Sequence, residues 1–165
     1  MNNQNYIKKL TLSDDVEAPM ELHYQDIIAK PLTRNDLLAD IQAVNSSLNI
    51  IRTTRGGSWP QGAVTEEFDF LDLAWHEREF RNGDSFAYVV YDDNGIYIGC
   101  FYLYGIGGRT TLTDELSKYE VDASWWVTQS SYHNGYYKKL KHALDIWLQD
   151  EFRFKKVYYS NIQLS

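Results

Sequence analysis

The stretch SYHNGYYKKL (131–140) gathers one glycine, several backbone amides and two lysines where a helix is predicted to begin. A helix N-terminus presents unpaired amides and the positive end of the helix dipole, so it is able to hold an anion such as a phosphate. Gly135 would let such a ligand approach the backbone closely, because it has no side chain. The same residues also suit an ordinary turn between a strand and a helix, and both interpretations stay open.

Two carboxylates, Glu120 and Asp122, lie two residues apart in a strand-like segment just before this stretch. Successive side chains of a strand point to opposite faces, so these two should share one face of a sheet. A carboxylate near a bound amine could act as a general base in acyl transfer. Two solvated carboxylates on an exposed strand face would give the same pattern.

No spacing in the sequence favours a metal centre or a covalent nucleophile. The segment HERE (76–79) lacks the second histidine of a zinc-protease helix. Cys100 has no evident acid–base partner nearby and is expected to be a buried strand residue. Trp59-Pro60, among glycines, fits a lid over an acceptor pocket or an ordinary surface loop. Trp75 is expected in the core with the later tryptophans.

The composition is typical of one globular domain: 165 residues, 44% hydrophobic and 24% charged. A formal charge of -7 argues against nucleic acid as a partner. The single cysteine excludes an intrachain disulfide and favours a cytoplasmic location. No apolar run is long enough to cross a membrane, so no membrane partner is expected.

Apolar periodicity and turn residues predict elements in the order β-α-α-β-β-β-α-β. They are a strand over 21–33, helices over 33–45 and 65–81, a hairpin of strands 85–91 and 96–104, a strand over 119–128, a helix after Gly135 and a strand over 152–161. The final β-α-β unit should be parallel. Residues 1–20 are predicted to form a loosely attached arm, and residues 21–165 a single domain.

The order of these elements, with the anion loop between the fourth strand and the third helix, resembles the GNAT superfamily of acyl-CoA-dependent N-acetyltransferases over roughly 21–161. The family's loop reads Gln/Arg-x-x-Gly-x-Gly/Ala; Tyr132, Gly135 and Tyr137 stand at its motif positions, and only Gly135 matches. YIGCFYL, WWVT and Ser160-Asn161 are similar to the family's third strand, the end of its fourth and the asparagine after its fifth. The fold implied is mixed α/β, a mostly antiparallel central sheet flanked by helices, without the family's last helix and strands.

The resemblance implies an enzyme that passes the acetyl group of acetyl-CoA to a primary amine, small molecule or peptide, by direct attack and without a metal. Glu120 or Asp122 would be the base, and the amide near Val127 would stabilise the oxyanion. The coenzyme would contact Trp126, Val127 and Thr128 through its pantetheine arm, the backbone of His133, Asn134, Gly135, Tyr136, Tyr137 and Lys138 through its pyrophosphate, and also Asn161. The Tyr137 phenol would crowd the diphosphate, turn outward, or offer its hydroxyl as a hydrogen-bond donor.

Two other functions remain open at this point. One is a GNAT fold that binds an acyl-CoA or a protein partner without turnover, as Tyr132, Tyr137 and the short C-terminus would suggest. The other is an unrelated α/β interaction domain whose turn is only a turn. An exposed last strand would also allow a homodimer through its edge.

Overall fold

The computed structural model describes residues 7–162 of the chain. The strands are β1 (Leu22–Tyr24), β2 (Ile27–Pro31), β3 (Phe86–Asp92), β4 (Tyr97–Tyr104), β5 (Val121–Val127) and β6 (Val157–Tyr159). The α-helices are α1 (Leu37–Asn45), α2 (Leu48–Thr54), α3 (Glu66–Asn82), α4 (Gln129–His133) and α5 (Tyr136–Asp150). Short 3-10 turns span Arg34–Asp36 and Leu116–Lys118. No helix within residues 7–162 is both long and apolar enough to span a membrane.

All six strands form one sheet in which they lie in chain order. Neighbours from β1 to β5 are antiparallel, and only β5 and β6 are parallel. The predicted mixed, mostly antiparallel sheet and its parallel final pair are therefore confirmed.

The predicted hairpin is present as β3 and β4. Its turn is held by the side chain of Asp92, whose Oδ1 accepts the N–H groups of Asn94 and Ile96, both at 2.9 Å. Gly95 takes a φ of 81° there, a conformation that glycine adopts without strain. Local sequence alone was sufficient for this element because its turn needs no distant contact.

Helices cover both faces of the sheet. The helix α5 packs on one face through Leu140 and Leu144, and the helices α1, α2 and α3 pack on the other, where Leu73 of α3 is fully buried. Alternate residues of β5 serve the two layers, so Trp125 packs toward α5 and Trp126 toward α1–α3. The strand β5 thus lies between the core on the α5 side of the sheet and the core on the α1–α3 side.

The first predicted strand and the loop over 52–62 differ from the structure. Residues 21–33 form a tight hairpin, β1 and β2, because the chain reverses at Gln25 with a φ of 50°. The helix α2, which the sequence did not predict, takes up the start of the expected loop.

The last predicted strand, 152–161, is reduced to the three residues of β6. Phe152 and Phe154 are both buried and stack on each other at 5.7 Å between ring centroids. Arg153 between them takes a φ of 60°, and the N–H groups of Phe152 and Phe154 donate to carbonyl oxygens at the end of α5, at 3.1 and 2.9 Å, so this stretch does not extend as a strand. The short β6 leaves much of β5 without a neighbour on that edge.

The described part of the predicted N-terminal arm is bonded to the domain, which corrects the expectation of loose attachment. The Lys8 N–H donates to the carbonyl oxygen of Ile106 at 2.7 Å. The Lys8 ammonium donates to the carbonyl oxygens of Ser117 and Tyr119 at 2.6 and 2.8 Å. Leu10 is buried in the core. This segment therefore closes over the loop between β4 and β5; residues 1–6 lie outside the described part.

Candidate functional site

The stretch 131–140 starts within a short helix and not in an open loop. The helix α4 follows β5 directly, and the Thr128 hydroxyl caps it by accepting the Ser131 N–H at 3.2 Å. Gly135 then takes a φ of 85°, and α5 begins at the next residue. No atom lies within 4 Å of a Cβ built on Gly135. The backbone conformation, and not a close neighbour within the chain, therefore favours glycine here.

The backbone N–H groups of this stretch fall into two sets. Those of Asn134 and Gly135 donate to carbonyls of α4. Within α5, the Lys139 N–H bonds back to the carbonyl oxygen of Gly135 at 3.4 Å. The N–H groups of residues 136–138 come before Lys139 in the first turn of α5, where backbone N–H groups have no carbonyl partner within the helix. Of the amides predicted to hold a pyrophosphate, these three face the favourable end of a helix dipole.

The side chains of the stretch do not converge on the start of α5. His133 pairs with Gln129 through their Nε2 atoms at 2.8 Å. The Lys139 ammonium binds Asp26 Oδ1 at 2.8 Å and lies over the Tyr136 ring. Backbone N–H groups are therefore the main feature of this stretch that could bind an anion.

The strand β5 is open along half of one edge. The Thr128 N–H donates to the carbonyl oxygen of Ile98 at 2.9 Å, and the antiparallel register turns the backbone of Trp126 toward β4 as well. Trp125 and Val127 face the opposite edge, where β6 pairs with only the first three residues of β5. Of the three residues predicted to pair with a pantetheine arm, Val127 alone faces this opening.

The side chain of Asn161 lies in the opening beside Trp125. Its Oδ1 accepts the Trp125 N–H at 3.0 Å, and its Nδ2 donates to the Trp125 carbonyl oxygen at 2.9 Å. The same Nδ2 donates to the Tyr137 hydroxyl at 2.7 Å. The carboxamide therefore bonds to β5 as the peptide group of an added strand would.

Tyr137 packs toward the sheet and not outward. Its ring stacks on the indole of Trp125 at 5.0 Å between centroids and 28° between planes. The Trp125 Nε1–H donates to the Tyr137 carbonyl oxygen at 3.2 Å. Burial raises the pKa of the Tyr137 phenol, although the bond from Asn161 opposes the shift. Tyr137 and Asn161 together fill the gap that the short β6 leaves.

The two candidate carboxylates are not brought together. The strand β5 begins at Val121, so strand alternation does not extend to Glu120. The Glu120 Oε1 accepts the N–H groups of Lys155 and Lys156 at 2.6 and 2.9 Å, which ties it to the turn before β6. Asp122 is fully buried within β5.

Asp122 lies among polar groups beneath the α1–α3 layer. Burial raises the pKa of its carboxyl, while the Ser160 hydroxyl, which donates to Oδ1, and the charges of Arg109 and Arg55 oppose the shift. The Arg55 Nε donates to the Ser124 hydroxyl at 3.0 Å. A carboxyl whose pKa is raised toward neutrality is better suited to take up a proton.

A cavity of about 600 Å³ adjoins this group. Tyr102 and Tyr104 line it and are the cross-strand partners of Ser124 and Asp122. Trp59 lines the cavity too, so the loop expected as a lid or a surface loop borders a real pocket. The other lining groups include Arg55, Asp72, Trp75, His76 and Glu79. The expectation that Trp75 belongs to the core is wrong, because its side chain is exposed at the cavity mouth.

Neither a model of a protein family nor the sequence of a curated protein matches this chain. Solved structures do match it. RimL, a ribosomal L7/L12 alpha-N-protein acetyltransferase in complex with coenzyme A, aligns with a TM-score of 0.59 at 15% identity, over 79% of this chain and 66% of RimL. A GNAT-family acetyltransferase from Bacillus anthracis aligns with a TM-score of 0.59 at 13% identity, over 85% and 72% of the two chains. SpeG, a spermidine/spermine N-acetyltransferase from Vibrio cholerae, aligns with a TM-score of 0.54 at 16% identity, over 82% and 68%. This chain has the GNAT fold.

The start of α5 suits the phosphates of coenzyme A better than the edge of β5 suits its extended arm. Residues 136–138 suit a phosphate, because their N–H groups open a helix at its positive end. An extended arm along β5 would need the N–H and carbonyl groups of Trp125, which bond to Asn161. The arm can pair there only when the Asn161 side chain moves away.

The sequence analysis missed a buried pair of carboxyls in this GNAT fold, Asp40 on α1 and Asp69 on α3. Burial and the neighbouring Asp69 carboxyl raise the pKa of Asp40 to about 8, so the folded protein holds a proton on this pair at neutral pH. The Tyr97 hydroxyl donates to Asp40. The helical spacing of Asp40 with Leu37 and Val44 was the signal that could have found it.

Metal binding is not indicated by the described residues. Within residues 7–162, no three His, Cys, Asp or Glu side chains gather where they could hold a metal ion.

Proposed function

We propose that this protein is an N-acetyltransferase that passes the acetyl group of acetyl-CoA directly to a primary amine. The observation that supports the proposal is the start of α5 beside the part of β5 that β6 leaves unpaired, where residues 136–138 and Val127 carry backbone N–H groups. Proteins with this fold include RimL in complex with coenzyme A and the polyamine acetyltransferase SpeG, which supports the same chemistry here.

The chain supplies a candidate group for each requirement of the reaction. Acetyl-CoA, when bound, supplies an activated thioester carbonyl; as the amine nitrogen forms the new C–N bond, the C–S bond would break and coenzyme A would leave as a thiolate that takes up a proton from solvent. The Val127 N–H would stabilise the charge that develops on the carbonyl oxygen. Asp122 is fully buried and lies five residues before Val127, about 16 Å along the strand, so it would accept the amine proton only through a chain of waters that ends at its carboxyl or at the Ser160 hydroxyl. Glu120 is less suited, because two backbone N–H groups already bond to its Oε1.

The acceptor amine, of a small molecule or a peptide, would enter through the 600 Å³ cavity. Arg55 stands at its inner end, between the ring of Tyr102 and the hydroxyl of Ser124. Access from the cavity to the edge of β5 therefore depends on the position of the Arg55 side chain. We place this activity in the cytoplasm, where acetyl-CoA is available and the free thiol of Cys100 stays reduced.

A second function is favoured by Asn161 and Tyr137. These side chains fill the opening in which an extended coenzyme arm would pair with β5. A GNAT fold closed in this way would bind an acyl-CoA, or a protein partner, without turnover.

A thermal-shift titration with acetyl-CoA, free coenzyme A and ATP tests the coenzyme part of both functions. A ligand at a hundred times its Kd stabilises the folded state by about 2.7 kcal/mol. For a chain of this size that corresponds to a rise in Tm of roughly 5–10 °C. A shift with both coenzymes but not ATP supports the proposal, and no shift with either contradicts it. Product formation with a panel of amines then separates transfer from binding alone.

A further inference from the structure

One face of α3 exposes an unusual amount of apolar surface. Phe68, Leu71 and Trp75 follow one another at i, i+3 and i+7, and are 57%, 62% and 54% exposed. Residues at this spacing lie along one line of a helix. Phe70 on the same helix is 42% exposed. A contiguous apolar patch of this kind on a folded protein marks a binding surface.

The apolar line joins two concave regions of the surface. Phe70 and Leu71 line a depression of about 410 Å³ next to α1. Trp75, one turn further along α3, lines the 600 Å³ cavity. A ligand that contacts both must extend along the helix for more than one turn, which suits a polypeptide segment better than a compact small molecule.

Acidic side chains border this line. Glu66 and Glu67 line the depression, and Asp72, Glu79 and Asp84 line the cavity. The cations on the cavity wall are Lys9 and Arg55, and Arg55 is buried and bonded to β5. The Arg78 guanidinium lies over the Trp75 ring at 5.1 Å, so this ring already accepts a cation on its face. The Arg34 guanidinium lies over the Phe70 ring at 5.9 Å, but Glu77 pairs with it at 2.9 Å. Within residues 7–162, the five acidic side chains therefore face only Lys9, Arg55 and Arg78, and the border favours a basic ligand.

We propose that the line formed by Phe68, Leu71 and Trp75 docks a polypeptide segment that combines apolar with basic side chains. The apolar side chains would be buried against the line, with Trp75 as the aromatic anchor at its cavity end. The basic side chains would meet the acidic border, which steers association and fixes register. A second copy of this chain fits less well, because a two-fold interface would bring the same acidic border against itself.

The test uses the full chain and two labelled synthetic peptides, followed by fluorescence anisotropy. One peptide carries leucine and lysine at helical spacing, and the other carries glutamate in place of each lysine. The leucine–lysine peptide is expected to bind the wild type, and Leu71→Lys is expected to weaken it about tenfold or more. Ile146→Lys on α5, where Ile146 is 44% exposed, adds the same charge away from the line and should change the Kd by less than about twofold.

Equal binding of the glutamate peptide, or unchanged binding by Leu71→Lys, would overturn the proposal. Sedimentation velocity of the wild type and Leu71→Lys examines self-association: a wild-type dimer that the substitution dissociates would assign this face to a second copy instead. Thermal melts of both variants show that they fold. No coenzyme is present, so failure here leaves the proposed acetyl transfer untouched.

Discussion

The carboxamide of Asn161 bonds both backbone groups of Trp125, accepting its N–H at 3.0 Å and donating to its carbonyl oxygen at 2.9 Å. These groups are the ones that an added strand would use where β5 has lost β6 as a neighbour. The bond therefore protects an open edge of the sheet, and any ligand that pairs with this part of β5 must displace it.

Asn161→Ala is expected to lower stability and raise affinity for coenzyme A. The free energy of unfolding should fall by about 1–3 kcal/mol, since two buried backbone groups lose their partner. Coenzyme A would bind more tightly because the vacated groups become available without displacing a side chain. Urea unfolding measures the first effect and calorimetric titration with coenzyme A the second.

Ser160→Ala is the matched control for this change, because it removes the neighbouring hydroxyl that donates to Asp122 and leaves Trp125 bonded. Its affinity for coenzyme A should equal that of the wild type. Weaker binding in Asn161→Ala would show instead that the carboxamide contacts the coenzyme.

Gly135→Ala should destabilise the protein through backbone conformation alone. The φ of 85° costs an alanine roughly 1–3 kcal/mol, and no neighbouring atom adds a clash. Gly62→Ala is the control, since Gly62 lies outside the left-handed region and also has nothing within 4 Å of an added Cβ. Equal midpoints of urea unfolding for the two variants would contradict this account of Gly135.

Asp122→Asn and Glu120→Gln separate the two candidate bases. If Asp122 accepts the amine proton, Asp122→Asn should lower kcat by about a hundredfold or more, with unchanged affinity for acetyl-CoA. Glu120→Gln should keep its activity, because the amide oxygen can still accept the N–H groups of Lys155 and Lys156. Steady-state rates together with coenzyme titration decide this, and full activity in both variants would place the base elsewhere.

Stability should fall as the pH rises, because Asp40 holds a proton in the folded protein. Its pKa is about 8 in the fold and about 3.9 in an unfolded chain, so between these values only the folded state binds the proton. The stability that this bound proton contributes is fully present below the pKa of the unfolded chain and is lost as the pH rises through the pKa of the fold. The free energy of unfolding then falls by at most about 1.4 kcal/mol per pH unit. Urea unfolding of the wild type and of Asp40→Asn should be measured across this pH window. The free energy of unfolding should change less with pH in the variant. An identical slope in both would count against proton sharing by Asp40.

The parts of this fold that depend on neighbouring residues were predictable from the sequence. The turn at Asn94-Gly95 is specified by its own dipeptide and the Asp92 side chain. The parallel final pair follows from the order strand, helix, strand, because such a connection returns to the same sheet. Gly135 was placed at the turn before a helix, where the structure has it with a φ of 85°, and its contact with a ligand stays a prediction.

The remaining features depend on distant contacts. Asn161 meets Trp125 across 36 residues, and only the shortening of β6 makes room for it. Asp40 and Asp69 are ordinary surface residue types until two helices bring them together. Trp75 has the character of a core residue, and hydrophobicity alone does not tell whether its partner belongs to this chain or another.

The bonds of Lys8 also bear on the order in which the chain can fold. Its ammonium donates to the carbonyl oxygens of Ser117 and Tyr119, which follow Lys8 in the sequence by 109 and 111 positions. During translation this segment leaves the ribosome long before its partners exist, and closing so long a loop is entropically costly. We therefore expect the segment around Lys8 to bind to the domain late, after β3, β4 and β5 have assembled. In pulse-labelling hydrogen exchange, its backbone amides should be the last to gain protection from exchange.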